Sequence, residues 1–411
     1  MGVTAQGRYA ADVRASSSIA VAFFTPALIA AALSLAGGCQ GARLIDFDLQ
    51  PDGGVGGGPP FYDAGSDQSD GESPTLPDAG DAGPEPVFVG IQPSPKTDGD
   101  GEPSAGDHLE AKLTTLAAGV RVAVIRVPWR ALAAGGEADL AAEVAFYEKY
   151  KRKVIVNLAF VDRRADARPD ELTPLSWDDP QVIAAADATL DGLLQTIGPS
   201  LSALTFGRDV DVFIESHPEE REALEAFIDH VSSFAKKHPA APPELKVAAG
   251  VSFEGVVVSP SPSIEALLAS SDIAAISYIP GLAEGGVAPA SEVATQLDHV
   301  IAAAAGKPIL LQAVGYPSDP LAGSSLEKQS LFFETFWGAL GPRRAFFPWV
   351  NVAELHDLGP AACDAHAASQ GEPKDSKHAA FFCSLGLFTS AGEQKPAWSS
   401  VLEAAATFAS P

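Results

Sequence analysis

Between Arg43 and Lys96 the chain contains no lysine or arginine. That stretch, "PDGGVGGGPPFYDAGSDQSDGESPTLPDAGDAGPEP", is built from Gly, Pro, Asp and Ser instead. It lacks the apolar surface that offsets the entropy of ordering, so it reads as an unfolded tether that its acidic residues keep extended. Positive charge is scarce elsewhere too: 27 Lys+Arg stand against 53 Asp+Glu, a formal net charge of −26 with a pI near 4.5. Such a field repels phosphate backbones and anionic lipid surfaces, which excludes nucleic acid as an expected partner and direct electrostatic docking on a membrane. No Gly-rich phosphate loop follows the first apolar run, which counts against a nucleotide-binding sheet. His356 and Asp357 have no third ligand at metal-site spacing, so no metal and no other cofactor is expected. Cysteine is rare as well, with three in 411 residues.

What is present begins with a targeting segment. Arg8 and Arg14 precede "SSIAVAFFTPALIAAALSLAGGCQ", an apolar run ending in small residues and Cys39. A membrane-spanning anchor is one reading; Pro26 and the "LAGGC" ending argue against it. The segment resembles a bacterial lipoprotein signal. That resemblance implies cleavage after Gly38, lipid on Cys39 and a place in the cell envelope. Gln40 is not the Asp associated with inner-membrane retention in some bacteria, so the outer membrane is expected, at its periplasmic face or the cell surface. The expected division is a signal over 1–38, a linker over 39–86 and a folded domain over 87–411. With Cys39 lipidated, Cys363 and Cys383 remain as an even pair in an exported chain, which favours a disulfide over two free buried thiols. The segment it closes, "DAHAASQGEPKDSKH", is polar and hard to order by packing.

From Val87 onward, short apolar runs alternate with helical patterns. The runs are "VFVGI" (87–91), "VRVAVIRVPW" (120–129), "KVIVNLAF" (153–160), "LSALTFG" (201–207), "KVAAGVSF" (246–253), "IAAISYIP" (273–280), "PILLQAVG" (308–315) and "RAFFPWVNV" (344–352). Most are nearly continuous in Val, Ile, Leu and Ala, as strands covered on both faces must be. Stretches such as "PEEREALEAFIDHVSSFAKK" between them are helical. Eight strands alternating with helices predict an α/β fold, a (β/α)₈ barrel, with a doubly wound open sheet as the alternative.

In such a barrel the strand C-termini form the site. They offer Arg126 and Trp129 after strand two, Asn157 on strand three, and Arg208, Asp209 and Asp211 after strand four. Ser252 and Glu254 follow strand five, Tyr278 strand six, Ala313 strand seven, and Trp349 with Asn351 strand eight. Arg126, Trp129, Asn157, Arg208, Glu254, Tyr278 and Trp349 are the candidate ligand-binding residues, and Asp209 is the candidate catalytic one. Plainer readings stand beside these. Trp129 and Trp349 pack under loops or serve as sugar platforms, Tyr278 is core or site, Asn157 caps a loop, and Arg126 is an ion-pair partner neutralised by Asp209 or Glu254.

"TFGRDVDVF" resembles the strand-four motif of retaining glycosidases with a (β/α)₈ barrel, in which Gly-Asn-Glu carries the acid/base. "LLQAVGYPS" resembles their strand-seven motif, in which the nucleophile Glu lies two residues before the Gly. "GSSLEKQSLFFETFW" and "FFCSLGLFTSAGEQKPAW" resemble the same superfamily further along, so the likeness spans roughly 87 to 405. Both catalytic positions depart from it: Asn-Glu becomes Arg208-Asp209, and the nucleophile becomes Ala313. Retaining hydrolysis needs two carboxyl groups about 5–5.5 Å apart. The resemblance therefore implies a barrel whose chemistry is lost, binding a glycan or a protein partner. Two other readings are open: an inverting hydrolase that pairs Asp209 with another carboxylate such as Glu254, and a structural lipoprotein with a closed barrel mouth.

Overall fold

The computed structural model describes residues 86–97, 101–282 and 286–408. The expected signal, Cys39 and the linker up to residue 85 lie outside the described residues. Eight parallel strands alternate with helices: β1 (Phe88–Ile91), β2 (Val122–Pro128), β3 (Lys153–Asp162), β4 (Leu201–Arg208), β5 (Lys246–Ser252), β6 (Ala274–Tyr278), β7 (Ile309–Val314) and β8 (Trp349–Val352). The hydrogen-bonded order is β1-β8-β7-β6-β5-β4-β3-β2. The Arg121 N–H donates to the Val89 carbonyl at 2.8 Å, which brings β2 back beside β1 and nearly closes the ring. This is the (β/α)₈ barrel expected, and each of the eight apolar runs marks one strand, with β3 and β4 extending past theirs by two residues and one.

The runs become strands because helices cover their outer faces while the barrel fills their inner ones. All five residues of β6 and all six of β7 are buried. The helix Arg221–Lys237 shows the complementary pattern, burying Leu224, Phe227, Ile228, Val231 and Ala235 in one stripe. Helix starts are marked locally. Asp179 accepts from the Gln181 N–H at 2.8 Å, and Pro180 fills the first turn of Pro180–Ile197.

The barrel interior changes character from bottom to top. At the N-terminal end Val122, Val124, Ile155, Ala203, Ala248, Ala275 and Leu310 form an apolar plug, joined by Phe88 and Trp349. Above it lies a polar layer. Asn157 Nδ2 donates to Thr205 Oγ1 at 2.8 Å and to the Gly207 carbonyl at 2.7 Å, and Asn351 Nδ2 donates to the Gln312 carbonyl at 3.1 Å. Gln312 Nε2 donates to Ser277 Oγ at 3.2 Å. The C-terminal mouth above this layer is charged.

Candidate functional site

The β4 end turns sharply. Gly207 has φ 72°, and a side chain there would meet Val210 Cγ2 at 2.6 Å, so only glycine fits. Asp209, two residues on, is also left-handed (φ 53°) and stands at the N-cap of the helix Val210–Ser216. Such a conformation in a non-glycine residue marks a position that its surroundings over-determine. The surroundings here are ionic. Arg163 Nη1 lies 2.5 Å from Asp209 Oδ2; the carboxylate is buried and the guanidinium half-buried. Arg208 Nε donates to Asp162 Oδ1 at 2.6 Å, and Arg126 faces Glu354 at 3.8 Å. Three arginines thus meet three carboxylates around the mouth. Burial works against the charge on Arg208, but Asp162 and Asp209 hold its pKa above the ordinary value. Burial opposes the Asp162 charge as well, and Arg208 with Arg126 still draws that carboxyl below its usual range. Burial and then the Asp209 charge push Asp211 up to about 6; it accepts from the Ser252 N–H at 2.7 Å and from Ser252 Oγ at 2.5 Å.

The β7 end has no charge at all. β7 carries a bulge against β6, pairing Leu311 with Ile276 and Ala313 with Ser277, and Gln312 reaches into the barrel. Ala313 is buried in an apolar cluster with Ala322, Ala353, Phe381, Phe382 and Leu385. The two phenylalanines belong to the helix Lys377–Cys383, which a disulfide from Cys383 to Cys363 ties to the helix Pro360–Ser369. The expected bridge is therefore present, with Cα atoms 5.5 Å apart.

The polar segment inside this loop is ordered by more than the bridge, because its attachments are electrostatic as well as apolar. Arg164 Nη1 donates to Glu372 at 2.6 Å, Gln370 Nε2 donates to the Asp162 carbonyl at 3.2 Å, and the Arg163 guanidinium lies 4.3 Å from the centre of the Phe382 ring. The segment 363–383 forms a lid over the barrel mouth. Burial, then neighbouring arginines (Arg208 for His366, Arg163 for His378), hold both lid histidines down at about 4.

Between lid and strand ends lies a cavity of about 690 Å³. Asp209, Ser252, Glu254 and Ser277 border it from β4 to β6, and Glu215 from the helix after β4. Arg163 and Arg164 border it from the β3 loop, and Glu372, Lys377, His378, Phe381 and Phe382 from the lid.

Of the sequence-predicted residues, Asp209 and Glu254 border this cavity. Arg126 and Arg208 belong to the ionic ring, but their partners correct the expectation: Glu354 pairs with Arg126, and Arg163 takes Asp209. Asn157 neither caps a loop nor borders the cavity; it knits the polar layer. The aromatic platforms are not at the mouth. Trp129 is fully buried, donates from Nε1 to Thr189 Oγ1 at 2.9 Å, and packs edge-on against Phe160 outside the barrel. Tyr278 is fully buried, and its hydroxyl donates to Gln296 Oε1 at 2.7 Å. Trp349 opens β8 at the opposite end, because 341–346 form a 3₁₀ turn instead of the first half of a strand. Sequence reasoning missed Asp162, Arg163, Glu354 and the lid. β3 runs two residues past Phe160, and extending that strand brings Asp162 and Arg163 to its tip.

No protein-family model matches the chain, and no curated protein matches it. Solved structures do. GH5_18 from Bifidobacterium longum subsp. longum ATCC 55813 superposes with a TM-score of 0.61 at 18% identity, over 79% of this chain and 80% of that one. GH5_18 from Streptomyces cattleya, crystallised with GlcNAc, gives 0.60 at 18% identity, over 80% and 81%. The fold is that of a (β/α)₈ glycoside hydrolase. The exo-beta-1,4-mannosidase Op5Man5 from Opitutaceae bacterium strain TAV5 gives 0.59 at 13% identity, over 78% of this chain and 59% of that one. At these identities the likeness is one of fold. On this barrel Asp209, at the β4 end, is bound to Arg163, and Ala313, at the β7 end, is packed under the lid.

Proposed function

We propose that this glycosidase-like barrel is a catalytically silent glycan-binding protein, held in the cell envelope by lipid on Cys39 and spaced from the membrane by the linker to residue 86. The observation that carries the reading is Ala313 in its apolar cluster. Neither a covalent glycosyl intermediate nor activation of a water starts from a methyl group. The β4 carboxylate adds support, since its Oδ2 is already engaged by the Arg163 guanidinium at 2.5 Å. Binding is supported by the roomy, polar-lined cavity, and by the sugars in solved structures of the same fold: GlcNAc in the Streptomyces cattleya protein and Manb1-4GlcNAc in a Bifidobacterium longum one.

Purified protein is expected to show no hydrolysis of aryl β-glycosides above background, while titration with β-1,4-linked hexosamine oligosaccharides gives saturable binding. An inverting hydrolase is favoured by one observation, that Asp209 and Glu254 border the same cavity. Robust turnover that disappears in Asp209→Ala selects that reading instead. The anchor has its own test: intact-mass analysis of detergent-extracted protein is expected to show a chain starting at Cys39 with added acyl mass. An unmodified soluble chain with another start rejects it.

A further inference from the structure

The charges bordering the cavity do not cancel evenly. Arg163 is taken by Asp209, and Arg164 by Glu372 at 2.6 Å. His378 is held neutral near pH 7 by burial and by Arg163. Three charged groups are left. Glu215 and Glu254, from the segments following β4 and β5, are exposed, and their side chains make no ion pair or hydrogen bond among the described residues. Lys377, on the lid, is the third.

A second observation falls on the same wall. Asp209 is 1% exposed and borders the cavity, yet only its Oδ2 has a donor; its buried Oδ1 has none. A buried carboxylate oxygen without a donor is costly, and a hydrogen-bond donor arriving with a ligand relieves it. One wall therefore presents two free carboxylates and a half-satisfied third. The chain's net charge of −26 raises the local concentration of cations around all of them.

We propose that the cavity selects glycans bearing a free amine, with Glu215, Glu254 and Asp209 receiving the ammonium and its neighbouring hydroxyls, over the same glycans in N-acetylated form. This rests on the glycan-binding reading above and narrows it. An acetamido group brings one N–H and no charge. An ammonium brings three donors and a charge that unpaired carboxylates attract.

The test is calorimetric titration of the full-length protein with two probes, a β-1,4-linked glucosamine tetramer and its fully N-acetylated counterpart. The glucosamine tetramer is expected to bind at least about tenfold more tightly at about 20 mM salt, with the gap shrinking at about 500 mM salt as the charges are screened. The Glu215→Gln, Glu254→Gln double variant is expected to bring the two affinities within about threefold of each other, mainly by weakening the amine-bearing probe. Both residues are exposed, so the variant keeps its fold. Equal binding of both tetramers by the wild type overturns the amine preference and leaves glycan binding standing. Binding of neither overturns the glycan reading itself. A tenfold preference that survives the double variant also overturns the assignment, because it places the selectivity elsewhere.

Discussion

The ends of β4 and β7 face the same barrel mouth, but they are stabilised in opposite ways. At β4 a carboxylate stands within a ring of three arginines and three acids, and each charge there is tolerable only because of its neighbours. At β7 the side chain is a methyl group, packed against Phe381 and Phe382 from the lid. A charge in a network cannot be removed alone, since its partner is then left buried and unpaired. A charge outside a network can be replaced by packing. The two ends therefore differ in what they tolerate, and that difference can be measured.

The largest expected effect comes from placing a carboxylate on β7. Ala313→Glu forces a longer side chain and an unpaired charge among Ala322, Ala353, Phe381, Phe382 and Leu385. Overpacking and charge burial together are expected to destabilise the fold by roughly 4–6 kcal/mol, read from the denaturant midpoint. A loss below about 1 kcal/mol means that the β7 end still accommodates a charge, and the contrast fails.

Next is the β4 network. Arg163→Ala strips Asp209 of its guanidinium and is expected to cost about 3–5 kcal/mol. Adding Asp209→Ala to that variant recovers much of the loss, because no orphaned charge remains. Additive losses in this double-mutant cycle show the pair to be uncoupled.

The lid comes third. The double variant Cys363→Ser, Cys383→Ser opens a loop with a sequence separation of 20, a loss on the order of 3 kcal/mol. In unreduced, denatured wild type neither cysteine reacts with a thiol reagent; two reactive thiols from these positions refute the bridge.

The smallest effect is a slope with pH. His366 and His378 have folded pKa values near 4, depressed from 6.5. Their contribution to stability is complete above pH 6.5 and is lost as pH falls through 4. Asp211, raised from 3.8 to about 6, acts in the opposite sense, its contribution being complete below 3.8 and lost as pH rises through 6. The comparison must therefore be differential. The double variant His366→Gln, His378→Gln is expected to show a smaller fall in melting temperature between pH 6.5 and 4 than the wild type. Equal falls remove the lid histidines from the account.

The barrel was legible because burial on both faces leaves an unmistakable apolar run, as in "PILLQAVG" and "KVIVNLAF". The place of Ala313 was legible for the same reason: it is fixed relative to the strand and to Gly315, and the residue does lie on β7. Aromatics were not. Trp129 lies one residue past the end of β2, where the chain has already turned into helix and carries the ring outward to Phe160 and Phe227. Sequence shows that a strand ends, but not which way the next side chain points. The lid escaped because its order depends on partners 208 residues away, Arg164 with Glu372 and Asp162 with Gln370. Its local signals were slight: Ser376 capping "KHAAFFC" and two adjacent phenylalanines inside an otherwise polar loop.

The bridge at the base of the lid also bears on how fast a ligand comes and goes. An open loop must be ordered at each binding event, at about 1–2 kcal/mol per residue fixed. Here the wall that carries Lys377, His378 and Phe381 is already shaped when the ligand arrives, so affinity is not spent on ordering it. The same stiffness narrows the route out. On the glycan-binding proposal, a ligand held against this braced wall is expected to exchange more slowly from the oxidised protein than from the reduced one.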